Sequence, residues 1–270
     1  MACCAAWKAE FVADRWAFNL DDGRWVDLFA SSKRIPNRRA YLASRVFLFA
    51  FVVAIFIWSV ADAALDGAGR CWPIYLTHQG LVIELVYLGA AAAATAKGAY
   101  HVDGAPDAPR GTPAVVKVAW VLQAIALPGS FLIMCLYWLL VFDGKLHAVS
   151  VFTHGVNFLI MAFDQAFSNQ PMFLVHGLIF VAYAVLYIYW TLVHFATRLK
   201  DCNNNRYIYA SLNWHKPDAA TRVVLGLFLV AIPVVIVAFW RICRNRDKKI
   251  APVFSDETHR PKTDDADAQL

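Results

Sequence analysis

Six stretches of this chain, about residues 43–65, 74–96, 115–142, 148–167, 172–197 and 220–242, are each apolar over enough residues to cross a membrane as a helix. A hydrocarbon core of about 30 Å needs ~20 residues at a 1.5 Å rise, and in lipid every backbone N–H and C=O must be paired inside the segment. That constraint leaves one architecture: an all-α, polytopic membrane bundle of about six transmembrane helices. Composition agrees, since 60% of the 270 residues are hydrophobic and 17% charged, against roughly 45–50% apolar in soluble domains. Six such stretches in series leave too little polar chain to cover them as a soluble core. The first is the most apolar, with no polar residue from Val46 to Trp58, and the fourth is interrupted by Thr153, His154, Asn157, Asp164 and Gln165.

Charge sets the expected orientation. Seven Lys and Arg fall in residues 1–42, three around 97–117 and seven from Arg241 onward, against about seven in the opposite loops. The positive-inside bias then puts both termini in the cytoplasm, opposed only by Arg198, Lys200, Arg206 and Lys216 in the fifth connection. The first apolar run starts after some 42 residues that include acidic positions, so it is expected to stay as an anchor rather than be cleaved. The formal charge of +5 reads as this bias and not as a nucleic-acid surface, because no soluble segment carries a basic patch with interleaved aromatics.

The chain divides into an aromatic-rich segment 1–42, a transmembrane domain 43–242 and a polar tail 243–270, the last part of it expected to be disordered. Trp7, Phe11, Trp16, Phe18, Trp25 and Phe29 alternate with charges, which fits either a segment at the headgroup level or a packed cap that buries those rings. Residues 98–113 read as a Pro/Gly-rich linker, and Pro128-Gly129 as a kink in the third span. Cys71 and Cys202 share the non-cytoplasmic side, so they can pair; Cys3, Cys4 and Cys243 lie at the cytoplasmic face, where S-acylation is open.

Polar residues inside such spans carry the functional information, because desolvating each costs about 1–3 kcal/mol unless it faces protein or water. Helical spacing puts Thr77, Gly80, Glu84 and Tyr87 on one face of the second span, with His78 and Gln79 off it. The fourth span carries His154, Asn157, Met161, Asp164 and Ser168 in the same way, and the fifth His176, Tyr183, Tyr187, Trp190 and His194. Three polar stripes imply three helices converging on a shared interior. Thr77, His154, Asn157 and His194 all fall in the outer half, whereas Glu84, Asp164 and His176 lie deeper.

A threonine hydroxyl next to an imidazole can attack an acyl carbonyl, since the imidazole takes its proton, and a buried amide such as Asn157 can donate to the oxyanion. The plain structural reading of the same residues is that Thr bonds the carbonyl one turn back and His fastens neighbouring helices. The histidines are too dispersed for helix-borne metal sites, and no phosphate loop, Gly-x-Ser-x-Gly elbow or Cys-x-x-Cys pair occurs, so no cofactor or metal is expected. A small transporter stays open through Asp62, Glu84 and Asp164, although no pair of broken helices in corresponding halves supports it.

The Tyr75-Leu-Thr77 opening of the second span, Pro128-Gly-Ser-Phe through Trp138, His154-Gly155, and Trp190 to His194 followed by Tyr207-Ile-Tyr209 together resemble the androgen-induced membrane protein family. The likeness covers most of 43–242, in order, and implies a multi-pass threonine hydrolase of fatty-acid esters of hydroxy fatty acids. It implies Thr77 as nucleophile. The position of the hydrolase branch's histidine, three residues after the His-Gly pair, is Asn157 here, which is closer to the related rolling-stone branch; Ala210 stands where proline is frequent. Hydrolysis would then use His154 or His194 as base and Asn157 as orienter or oxyanion donor. The resemblance implies membrane lipids and a fatty-acyl ester as partners, in the endoplasmic reticulum or plasma membrane. The alternative is a non-catalytic rolling-stone-like protein with a structural or signalling role.

Overall fold

Six helices make the bundle in the computed structural model, which describes residues 16, 18–20, 23–104 and 111–250. We number them α1 (Arg38–Leu65), α2 (Leu76–Gly104), α3 (Ala114–Val141), α4 (148–167), α5 (Leu174–Ala196) and α6 (Pro217–Arg246, continuing to Ile250). Among the described residues there is no strand. Five of the six, all but α4, are long and apolar enough to cross a membrane. The stretch 148–167 is one unbroken helix whose polar stripe lowers its hydropathy.

Local chemistry starts and ends the elements. The Asn37 side chain caps α1 by accepting from the Ala40 N–H at 3.1 Å, satisfying one of the four donors a helix start leaves open. Along α1, Tyr41, Arg45, Leu48, Val52, Ile55 and Ser59 are buried at three- and four-residue steps, the pattern of a helix with one packed face. Its other side, with Val46, Phe47, Ile57, Trp58 and Val60, is exposed. Leu139, Leu186, Leu229 and Val234 are exposed as well, the kind of apolar exterior that marks a membrane-facing surface. The packed interior joins Leu48, Val52 and Ile55 to Leu81, Leu88 and Ala91 of α2, Leu127 of α3 and Ile160 and Met161 of α4.

Several expectations change. Residues 98–104 are not linker: the alanine-rich run of α2 carries the helix on to Gly104, as the best helix-forming residue should. Of the expected linker, 105–110 lies outside the described residues. Pro128 sits within α3 without ending it. The expected tail boundary at 243 also moves, because α6 runs to Ile250 and Arg246 donates to the Gln165, Ser168 and Gln170 carbonyls at 2.7, 3.0 and 2.6 Å. Cys243 is buried, with the Gln165 amide 3.3 Å from its sulfur, so it presents no acylation site; Cys3, Cys4 and the segment 251–270 lie outside the described residues.

For the aromatic lead-in, the packed-cap reading holds at Trp25 and Phe29, both fully buried with Leu28 against Val116 and Trp120 of α3. Trp16 stays exposed, and Trp7 and Phe11 lie outside the described residues. The cap presses so closely on α2 that a Cβ at Gly98 would collide with Ala30. Overpacking of this kind costs about 1–3 kcal/mol. Gly98→Val should therefore lower the unfolding midpoint of the detergent-solubilised protein, and Gly67→Ala, where no atom lies within 4 Å but φ is +68°, should do so through backbone strain alone and by less.

Candidate active site

The end of α2 that carries Thr77 is fastened before the helix begins. Cys71 forms a disulfide with Cys202, tying the short turn Gly69–Ile74 to the loop after α5. From that loop Tyr209 reaches back, and its hydroxyl accepts the Leu76 N–H at 3.0 Å. The Tyr187 hydroxyl of α5 donates to the Ile74 carbonyl at 3.1 Å. Two tyrosines and a disulfide thus fix the first turn of α2, and Thr77 with it.

Thr77 Oγ1 lies 3.0 Å from His154 Nε2. The opposite ring nitrogen, Nδ1, is 2.8 Å from the Ser150 carbonyl oxygen and 3.1 Å from Thr153 Oγ1, whose own proton goes to the Val149 carbonyl at 2.9 Å. A carbonyl can only accept, so the proton of the neutral ring sits on Nδ1 and Nε2 offers its lone pair to the Thr77 hydroxyl. Tyr137 lies flat on the imidazole, centroids 3.5 Å apart and planes 15° from parallel, which fixes the ring's tilt.

Wide, π-type turns shape the surroundings. They occur at Phe152–Val156, which contains His154, at Tyr137–Val141 and at Leu227–Ala231; each re-aims side chains that a regular helix would turn elsewhere, a device frequent at functional sites. Tyr137, Leu140, Val141 and Leu227 from these turns line a cavity of about 450 Å³ with Thr77, His154 and Tyr209. That volume lies in the range of small-molecule sites. Asp201, Asn203 and Ser211 from the loop after α5 line it as well, with Ile133 and Leu136 of α3 and Ile188 of α5. Burial pushes the Tyr209 hydroxyl up to about 12, so it keeps its proton as a donor at neutral pH. Burial and the Asp201 carboxylate raise Tyr75 in the same direction.

The other sequence candidates sit apart from this pair. Asn157 is buried one turn further along α4, directed at the Glu84 carboxyl, and does not line the cavity. His194 is buried with Nδ1 3.3 Å from the Arg206 carbonyl and its ring beside Trp190; it too is outside the cavity wall. His78 stacks on Trp72 with centroids 4.4 Å apart, and Gln79 donates to the Pro73 carbonyl at 3.1 Å, both shaping the turn before Thr77. At the far end of the bundle, Asp164 pairs with Arg45 at 3.3 Å and His176 stacks on Phe18 at 4.3 Å.

A family model described as protein rolling stone matches residues 4–259. The chain belongs to the rolling stone family. A curated relative, protein rolling stone of Drosophila melanogaster, is 26% identical over 131 residues, which is 46% of this chain and 46% of that protein. The matched part thus spans about half of the relative's length. No solved structure is similar to the chain. Rolling stone membership, the helical bundle and its apolar exterior together make this a multi-pass membrane protein in contact with lipid. Sequence reasoning reached Thr77 and His154 but overlooked Tyr137, whose flanking Trp138 alone stood out, and gave Tyr209 no role; the run of aromatics at the end of α3 was the available signal.

Proposed function

We propose that this rolling stone protein hydrolyses a fatty-acyl ester at the membrane, with Thr77 as nucleophile and His154 as general base. The observation that carries the reading is the 3.0 Å Thr77–His154 contact with the imidazole tautomer set from behind by Ser150. In the first step Thr77 Oγ1 bonds to the ester carbonyl carbon while its proton passes to His154 Nε2. The tetrahedral intermediate then breaks its bond to the alcohol oxygen, which receives that proton, leaving an acyl-threonine. Water, activated by the same nitrogen, attacks the acyl carbon and releases the fatty acid, returning the proton to Thr77. Nothing else is consumed.

For the developing oxyanion, the Tyr209 hydroxyl and the positive end of the α2 dipole favour the Thr77 side of the cavity. They take over the role sequence reasoning gave to Asn157, which remains a candidate only through Glu84. The reading keeps six spans and both termini in the cytoplasm, in the endoplasmic reticulum or plasma membrane, with the site near the opposite face. A Cys71–Cys202 disulfide suits an oxidising compartment there.

Purified protein in detergent, given fatty-acyl esters of graded chain length, tests the proposal. Turnover is expected, with a loss on the order of 10²-fold or more in Thr77→Ala, since nucleophile and base act together. Turnover indifferent to that change removes Thr77 from the mechanism. Activity appearing only after Asn157→His would mean that the natural chain is a non-catalytic member whose polar stripes fasten helices.

A further inference from the structure

The cavity beside Thr77 has an inner arm with different chemistry. A second space of about 40 Å³ shares Leu76, Ile133, Leu136, Tyr187, Ile188 and Leu227 with the first. Beyond them it is walled by Gly129, Leu132, Phe180, Tyr183, Ala184, Phe228 and Ile232. It follows α3 and α5 lengthwise, from Leu136 and Tyr187 to Gly129 and Phe180, seven residues on each helix or about 10 Å at 1.5 Å per residue. It exceeds the ~10–15 Å³ that one water requires, but with walls almost wholly of carbon it offers water fewer than the ~2–4 polar partners it needs at most points along its length. A Cβ at Gly129 would meet the Phe180 ring at an ordinary contact distance of 3.6 Å.

We propose that this arm is a slot for one straight hydrocarbon chain, the tail of an amphiphile whose polar end lies at Thr77 and His154. Its direction is the reason. The slot runs along the helices, hence along the bilayer normal, as lipid chains do, and it leads from the chamber that holds the Thr77, His154 and Tyr209 polar groups into one walled almost wholly by carbon. Entry is sideways, past Leu140 and Val223, whose neighbours Leu139 and Leu225 are exposed on the outer surface. Gly129 and Ala184 then set how much chain the slot admits. The inference rests on the acyl-ester reading for the identity of the head, but not for the existence of the slot.

Photolabelling separates the two. The full chain in membranes is exposed to a 16-carbon fatty acid carrying a diazirine at its chain end, irradiated, digested and mapped by mass spectrometry. Adducts are expected at Gly129, Leu132, Phe180 and Ala184, at least tenfold fewer in Ala184→Phe. Adducts confined to the outward-facing Phe47, Ile57 and Leu229 overturn the slot, and that result needs no variant to fold. Labelling in the slot without ester turnover keeps the slot and removes the hydrolase; turnover without slot labelling does the reverse.

Discussion

Replacing Asp164 by alanine should be among the most damaging single changes in this chain, costing about 3–5 kcal/mol, the range for removing one partner of a buried ion pair. Arg45 is 0% exposed and Asp164 2%. The guanidinium donates from Nη1 to the Phe29 and Ala91 carbonyls and to Thr95 Oγ1 at 3.0, 3.1 and 3.1 Å, while Nε faces Asp164 at 3.3 Å. Asp164 in turn accepts from the Tyr87 hydroxyl at 2.5 Å, and the Gln170 side-chain amide stands 2.7 Å from the same hydroxyl oxygen. Without the carboxylate, an arginine with no route to water keeps only neutral acceptors, and the Tyr87 proton loses its charged acceptor. Arg45→Ala should cost a comparable amount, because it strands the carboxylate instead. The double replacement Arg45→Met with Asp164→Leu, which strands neither charge, is expected to cost less than the sum of the singles. Thermal unfolding in micelles, followed by tryptophan fluorescence, reads all three; an additive double variant would mean that the two charges are separately solvated.

This network explains why the sequence revealed the stripes better than their partners. Helical spacing fixed which residues of α2 and α4 face inward: Thr77, Gly80, Glu84 and Tyr87 are all buried, as are Asn157, Met161, Asp164 and Ser168. What spacing could not supply is the angle at which one stripe meets another. Asn157 follows His154 by three residues, so it sits ~4.5 Å deeper and about 60° around the helix, enough to turn it from the cavity to Glu84. His194 lies seven residues beyond Tyr187, ~10 Å further along, and so passes the level of Thr77 to meet the loop at Arg206. Tyr209 approaches from 132 residues away in sequence through a loop with no periodicity, and its approach depends on a disulfide that sequence left open. The π-type turns were also invisible, since nothing in Phe152–Val156 or Tyr137–Val141 departs from ordinary helix-compatible residues. Yet one of them turns His154 toward Thr77.

His154→Ala should reduce ester turnover as severely as Thr77→Ala, by about 10²–10⁴-fold, the contribution of a positioned general base. The argument is that a threonine hydroxyl is a poor nucleophile until its proton has somewhere to go, and within the cavity His154 Nε2 is the group at 3.0 Å. Because the two side chains act as a unit, the double variant should be no slower than either single, as non-additivity requires of a nucleophile and its base. His194→Ala separates the rival base: its ring holds the Arg206 carbonyl and not Thr77, so it should leave turnover within a few-fold while lowering the unfolding midpoint. Tyr137→Phe keeps the stacked ring and should be nearly silent, whereas Tyr137→Ala frees the imidazole to tilt and should lower the rate with little change in KM. If His194→Ala proves as costly as Thr77→Ala and His154→Ala does not, the proton leaves Thr77 by another path and the cavity is not arranged for catalysis as its contacts suggest. An equal loss in both single variants with no further loss in the double would instead assign the chemistry to this one pair of side chains, on α2 and α4, brought together across 77 residues of sequence.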